Sequence, residues 1–262
     1  MKNIYKTILL RREVNHKMLA ILLDPDQCRG SVLSSTIAAL KSNAPDFIFV
    51  GGSHTVTSVD SLIELLKEEV NSTVVLFPGN ASQFSTKADA LLYLSLLSGR
   101  NAEFLVGQHV TSSVAIKKSN IEVIPTGYLL IDGGKPSSVE YISNTHPIPR
   151  DKNEITLSTA VAAELLGMRM VYLEAGSGAN MPVPVEMIKY VRQGLSLPLI
   201  VGGGIKTAEQ LTAAFAAGAD LVVVGNAFET NPGLISEFVA CTKAYEVNAQ
   251  PKLPDTEESR EV

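Results

Sequence analysis

Two short apolar runs in the last third of the chain, each stopped by glycine, constrain the fold most tightly. Leu199-Ile200-Val201 runs into Gly202-Gly203-Gly204-Ile205, and Leu221-Val222-Val223-Val224 runs into Gly225-Asn226-Ala227. Each run has the length and β-branched content of a buried strand. Each ends in a residue whose backbone can approach a ligand without a Cβ in the way. A helix-like pattern follows, and Thr207-Ala208-Glu209-Gln210 reads as a capping box. Free N–H groups at helix starts attract phosphate. In an eightfold β/α barrel the loops after strands seven and eight commonly form such a site. The pair predicts a barrel and a phosphate-bearing ligand.

The rest of the chain alternates in the same way. Residues 3–14 read as a short amphipathic helix. Strands are expected at 18–23, 46–50, 73–77, 103–106, 122–131, 170–173, 199–201 and 221–224. Helices are expected at 31–41, 61–70, 88–97, 111–118, 158–166, 184–192, 208–217 and 232–246. Eight strands alternating with helices imply a parallel sheet with right-handed crossovers. Closure into a single-domain (β/α)8 TIM barrel over residues 1–247 is the economical arrangement, with a doubly wound open sheet as the alternative. The stretch 133–152, with Pro136, Pro147 and Pro149, reads as a long functional or mobile loop. Residues 248–262 read as a disordered tail.

Composition narrows the function classes. The 262 residues fit one barrel, and a net charge of −5 argues against a general nucleic-acid binder. Cys28 and Cys241 are far apart, which suits buried thiols in a reducing compartment better than a zinc site. No apolar run reaches the ~18 residues of a membrane span. The only apolar stretch near the start, Ile8-Leu9-Leu10, is too short for a signal peptide. A cytoplasmic protein is expected.

Barrels of this kind work at the carboxyl ends of their strands. Asp24, directly after the first strand, can hold Mg²⁺, a hard cation that takes oxygen ligands and bridges to phosphates. The competing reading is a helix cap or a turn before Pro25. Ser53 could add an oxygen, and Asp26 fits a cap better than a ligand. Glu174, ending Val171-Tyr172-Leu173, suits a general base, against the alternative of a structural ion pair. Tyr172 shares its barrel face and could orient a substrate alcohol. Gly176-Ser177-Gly178 offers N–H donors and a hydroxyl for phosphate. His54 and His109 fall near the mouth without a catalytic arrangement around them.

These residues carry a resemblance. Leu23-Asp24-Pro25-Asp26, Gly51-Gly52-Ser53, Phe77-Pro78-Gly79-Asn80, the string Tyr172 to Ala179, Val201 to Ile205 and Val224-Gly225-Asn226 stand in one order over about residues 18–240. On them the chain resembles the geranylgeranylglyceryl phosphate synthase family, a group of barrel prenyltransferases. The Leu-Leu-Asp-Pro-Asp variant is similar to its second major group, and Leu22 stands where some members have lysine. The resemblance implies an ether bond between sn-glycerol 1-phosphate and a polyprenyl diphosphate, geranylgeranyl diphosphate first, with loss of diphosphate. It also implies Mg²⁺ at Asp24 and Ser53, with both residues Asp24 and Glu174 catalytic and Glu174 the base. The glycerol phosphate would lie on Tyr172, Leu173, Glu174, Ala175, Gly176, Ser177, Gly178, Gly203, Gly204, Gly225 and Asn226. A homo-oligomer is implied as well, with at most a transient membrane contact. An apolar groove for the prenyl tail is expected around Phe84, Leu91, Leu92, Tyr93 and Leu96. The rival readings are an FMN-dependent barrel oxidoreductase, a sugar-phosphate isomerase using Asp24 with Asp132, and a non-catalytic carrier of prenyl diphosphates.

Overall fold

The structure, a computed structural model, describes residues 3–249. The chain runs α1 (Ile4–Glu13), β1 (Met18–Leu23), α2 (Gly30–Ser42), β2 (Phe47–Val50), α3 (Val59–Glu69), β3 (Thr73–Leu76), β4 (Ala90–Leu96) and α4 (Gln108–Ser119). It continues through β5 (Glu122–Leu130), α5 (Ser138–Ser143), α6 (Asn153–Leu165), β6 (Met170–Glu174), α7 (Val185–Gly194), β7 (Leu199–Gly202), α8 (Ala208–Ala217), β8 (Leu221–Val224), α9 (Asn226–Thr230) and α10 (Leu234–Ala249). The strands form a closed parallel barrel in sequential order, and β8 closes on β1 with Met18 opposite Leu221.

Strand alternation sorts the apolar side chains into two layers. Phe49, Leu92, Tyr172 and Val223 fill the barrel, while Ile48, Leu173 and Val222 face the helices. α1 closes the amino-terminal end of the barrel with Ile4 and Ile8, both in the interior cluster. The amides of Ile4 and Tyr5 donate to Glu122 at 2.6 and 2.9 Å, and a carboxylate suits that helix start. Burying a side chain such as Ile8 contributes about 1.5–3 kcal/mol.

Seven of the eight expected strands stand where the sequence puts them, and the fourth does not. Residues 103–107 are a π-helical turn leading into α4, and the helix expected over 88–97 is β4. Ala and Leu are strong helix formers, and a run apolar on nearly every side carries no decisive period. Tertiary pairing decides: β4 pairs with β5 from Ala90 opposite Glu122 to Leu96 opposite Tyr128. The chain between β3 and β4 therefore holds no α-helix, only a 3-10 turn at Ala81–Gln83. The outer ring of helices is open there. The stretch 133–152 is more ordered than expected. It contains α5 and a bridge between Ile131 and Ile148, and Arg150 donates to the carbonyls of Asp132 and Pro182, both at 2.8 Å. Of the expected tail, residues 248 and 249 close α10, and 250–262 lie outside the described residues.

Candidate active site

At the carboxyl end of the barrel two cavities share one wall. The first is polar, about 690 Å³, and opens over β6, β7, β8 and β1. The second is an apolar groove over β3, β4 and α4, under the gap in the helical ring. Gly52, Ser53, Phe77, Tyr128 and Val139 line both.

Glu174 ends β6 and points into the polar cavity, yet is only 5% exposed. Burial raises its pKa to about 7 from 4.5, against the pull of the Tyr172 hydroxyl and the Gly176 amide. The Gly176 N–H donates to Oε1 at 2.7 Å. The Tyr172 hydroxyl is fully buried beside this carboxyl and has no aligned hydrogen-bond partner. It acts on Glu174 by proximity rather than through a well-formed bond. Glycine is required opposite: a methyl on Gly202 would collide with the Tyr172 hydroxyl, and one on Gly203 with Glu174. Gly203 and Gly204 also hold φ of +79° and +71°, a region that disfavours other residues. Below the mouth, Phe77 sits among Phe49, Tyr128 and Tyr172, with centroids 6.2, 6.1 and 5.3 Å away.

Asn226 ties the β8 loop to the β6 loop. Its Oδ1 accepts from Ser177 Oγ at 2.9 Å and from the Gly178 amide at 2.7 Å. Its Nδ2 donates to Glu229 at 2.9 Å. Thr207 caps α8 as expected, accepting from the Gln210 amide at 3.3 Å. The reciprocal bond is shifted by one residue, since Gln210 Oε1 accepts from the Lys206 amide at 2.7 Å.

Asp24 lies across the cavity, half-buried. Burial raises its pKa, and the Asp26 amide, donating at 2.8 Å, opposes that shift. It sits so close to Gly52 that any β-carbon there would strike it. Asp26 does different work. It accepts from the Val56 and Thr57 amides at 2.7 and 3.0 Å, pairs with Arg29, and so pins the loop after β2. The Thr57 hydroxyl and these amides hold its pKa down at about 2.

Most expected site residues converge here. Asp24, Ser53, Tyr172, Glu174, Ser177, Gly178, Gly203, Gly204, Gly225 and Asn226 all line the polar cavity. Leu173 and Ala175 do not, because alternation sends both side chains into the outer apolar layer. Gly176 meets Glu174 rather than the cavity. All five expected groove residues, Phe84, Leu91, Leu92, Tyr93 and Leu96, line the apolar groove, from strand and loop rather than helix. Asp132 lines neither cavity; its Oδ1 accepts from the Gly134 amide at 2.8 Å in a local turn. An acid–base pair with Asp24 therefore loses its second member. Sequence reasoning missed Lys206 and Glu229, which also line the polar cavity. Lys206, two residues after the glycines, offered a signal as an anion partner. Glu229 offered none, since it enters the site only through the turn of α9.

Cys28 is buried and Cys241 partly so, both as free thiols, and burial pushes Cys28 up to about 11. No helix among the described residues is long and apolar enough to cross a membrane.

The fold and site define a (β/α)8 barrel enzyme whose mouth joins a glycine-rich polar cavity to an apolar groove. The chain belongs to the PcrB family, whose model matches residues 12–242. It is 48% identical over 242 residues to the geranylgeranylglyceryl phosphate synthase of Chitinophaga pinensis, covering 92% of this chain and 96% of that protein. It is 41% identical over 226 residues to the enzyme of the same name from Thermococcus kodakarensis, covering 86% and 89%. The crystal structure of (S)-3-O-geranylgeranylglyceryl phosphate synthase from Thermoplasma acidophilum with sn-glycerol-1-phosphate superposes with a TM-score of 0.86. That match has 35% identity and covers 93% of this chain and all of the other.

Proposed function

We propose that this protein is a prenyltransferase that joins sn-glycerol 1-phosphate to a polyprenyl diphosphate, geranylgeranyl diphosphate in the first instance, through an ether bond. The observation that carries the reading is a buried carboxyl, its pKa raised towards neutrality, lining a glycine-rich cavity that shares a wall with an apolar groove.

The phosphate of the acceptor lies on the backbone of Gly203, Gly204, Gly225 and Ser177-Gly178, with Asn226 and Lys206 at the rim. Its terminal hydroxyl faces Glu174, and Tyr172 fixes the approach. The prenyl tail follows the groove past Phe84, Leu91 and Tyr93. Its reacting end reaches the common wall at Ser53 and Phe77. The carbon–oxygen bond to diphosphate breaks, and diphosphate leaves with the electron pair. The acceptor oxygen bonds to the allylic carbon, and its proton passes to Glu174. Holding both substrates in one geometry supplies much of the rate.

Asp24 and Ser53 fit a divalent cation, Mg²⁺ by preference. They offer hard oxygen donors in a cavity with open space, and Mg²⁺ is commonly held by one or two protein oxygens together with substrate phosphates. Such an ion supplies neutralisation of the charge on the departing diphosphate. We place the enzyme in the cytoplasm, meeting a membrane only to collect its lipid substrate.

The test is transfer itself. Purified protein with Mg²⁺ and radiolabelled glycerol 1-phosphate should give butanol-extractable label with prenyl diphosphates, and a length panel would identify the preferred donor. No extractable label with any donor would refute the reading.

A further inference from the structure

Gln83 lines neither cavity. It is a polar side chain 3% exposed, at the end of the 3-10 turn that replaces the missing helix. A buried amide is retained only where its groups are paired, and both of its ends are. Nε2 donates to the Gly52 carbonyl at 2.9 Å, and Oε1 accepts from the Gly79 amide at 3.1 Å. The side chain therefore stitches the loop after β2 to the loop after β3.

The two loops meet main chain to main chain. A β-carbon on Gly79 would collide with the Gly52 carbonyl and lie 2.8 Å from that of Ser53, and one on Gly51 would collide with the Phe77 carbonyl. The Gln83 amide supplies the side-chain hydrogen bonds that bridge the two loops where their backbones touch. They carry Gly52, Ser53 and Phe77, three of the five residues common to both cavities. The turn is anchored to α4, since the Ala81 amide donates to Gln108 at 2.7 Å, and capped locally, since the Ser82 amide donates to Asn80 at 2.9 Å.

We infer that Gln83 is a positioning residue for the diphosphate end of the prenyl donor, acting through the Gly52-Ser53 loop. The inference rests on the proposed function, because only a substrate spanning both cavities needs the wall between them set in register. The cradle for glycerol phosphate is built on β6, β7 and β8, which Gln83 does not touch.

The experiment separates the two substrates. Gln83→Met keeps length and bulk but removes both bonds. The Michaelis constant for geranylgeranyl diphosphate and the Mg²⁺ concentration for half-maximal rate should each rise about tenfold to a hundredfold, the scale of two lost hydrogen bonds. Glycerol 1-phosphate affinity, titrated calorimetrically without donor, should stay within about twofold. Gln83→Glu keeps the acceptor for Gly79 but sets a carboxylate oxygen against the Gly52 carbonyl, so it should weaken the donor at least as much as Gln83→Met, again without affecting glycerol 1-phosphate. On a Ser53→Ala background the Gln83→Met effect should shrink, because both changes act through one loop. Thermal unfolding checks that each variant is folded, and Gln83→Glu carries the test should Gln83→Met not fold. Equal losses for both substrates, an unchanged donor constant, or multiplying effects on the Ser53→Ala background would overturn the assignment. A wild-type protein that makes no ether would instead overturn the proposed function.

Discussion

The two sides of the barrel mouth are built by opposite means. Over β6, β7 and β8 the site is made of backbone and one buried acid: glycines at positive φ, an asparagine bridging two loops, and Glu174 with its pKa raised. Over β3 and β4 it is made by omission, because a helix is missing and the exposed strand face becomes an apolar groove. The first side can fix an anion and take a proton. The second offers a mainly apolar surface suited to hydrocarbon. An apolar groove thus stands beside a glycine-rich cavity within one barrel, where the chain between β3 and β4 forms a 3-10 turn in place of an α-helix.

Substitutions on the polar side should damage chemistry, and those on the apolar side should damage donor binding alone. The largest effect is expected from Glu174→Gln, which should lower turnover ~10³-fold, the range of a lost general base, with glycerol 1-phosphate affinity kept. Single-turnover rates together with calorimetry check both halves. Asp24→Asn should reduce the Mg²⁺-stimulated rate about a hundredfold, comparable to losing one preorganised electrostatic partner. Full activity of wild type in excess chelator would remove that role.

The pH response is next in size. Glu174 must be ionised to accept a proton, so kcat/KM should rise with pH and level off above about 7. Tyr172→Phe removes a group that lowers this pKa and should move the inflection upward; in Glu174→Gln this inflection should be absent. Linkage gives a second reading. The folded state holds this proton more tightly than the unfolded chain, so its stabilising contribution is complete below pH 4.5 and fades as pH rises towards 7. Glu174→Gln should accordingly raise the melting temperature above pH 7. The smallest effect is on the apolar side. Phe84→Ala should raise the Michaelis constant for a long prenyl diphosphate about tenfold, the scale of a few methylene contacts, and leave that for glycerol 1-phosphate unchanged.

Most of the polar side could be read directly from the chain. Strand ends marked by Asp24, Glu174 and the paired glycines have a fixed place in a barrel, so their sequence positions determine their meeting point. The resemblance added the substrates. Leu173 and Ala175 entered the expected site only as members of a matching string, and strand alternation excludes their side chains. The apolar side was legible in residues but not in form. Ala88 to Leu97 satisfies helix and strand patterns alike, and only pairing with β5 selects the strand. Gln83 and Glu229 were beyond reach for a further reason: each works through a neighbour that only folding supplies.

The most direct measurement is a crystal structure with glycerol 1-phosphate soaked in. Its phosphate should lie against the backbone of Gly203, Gly204 and Gly225, with the terminal hydroxyl within hydrogen-bond distance of Glu174. A phosphate bound elsewhere, or a hydroxyl turned away from Glu174, would contradict the account.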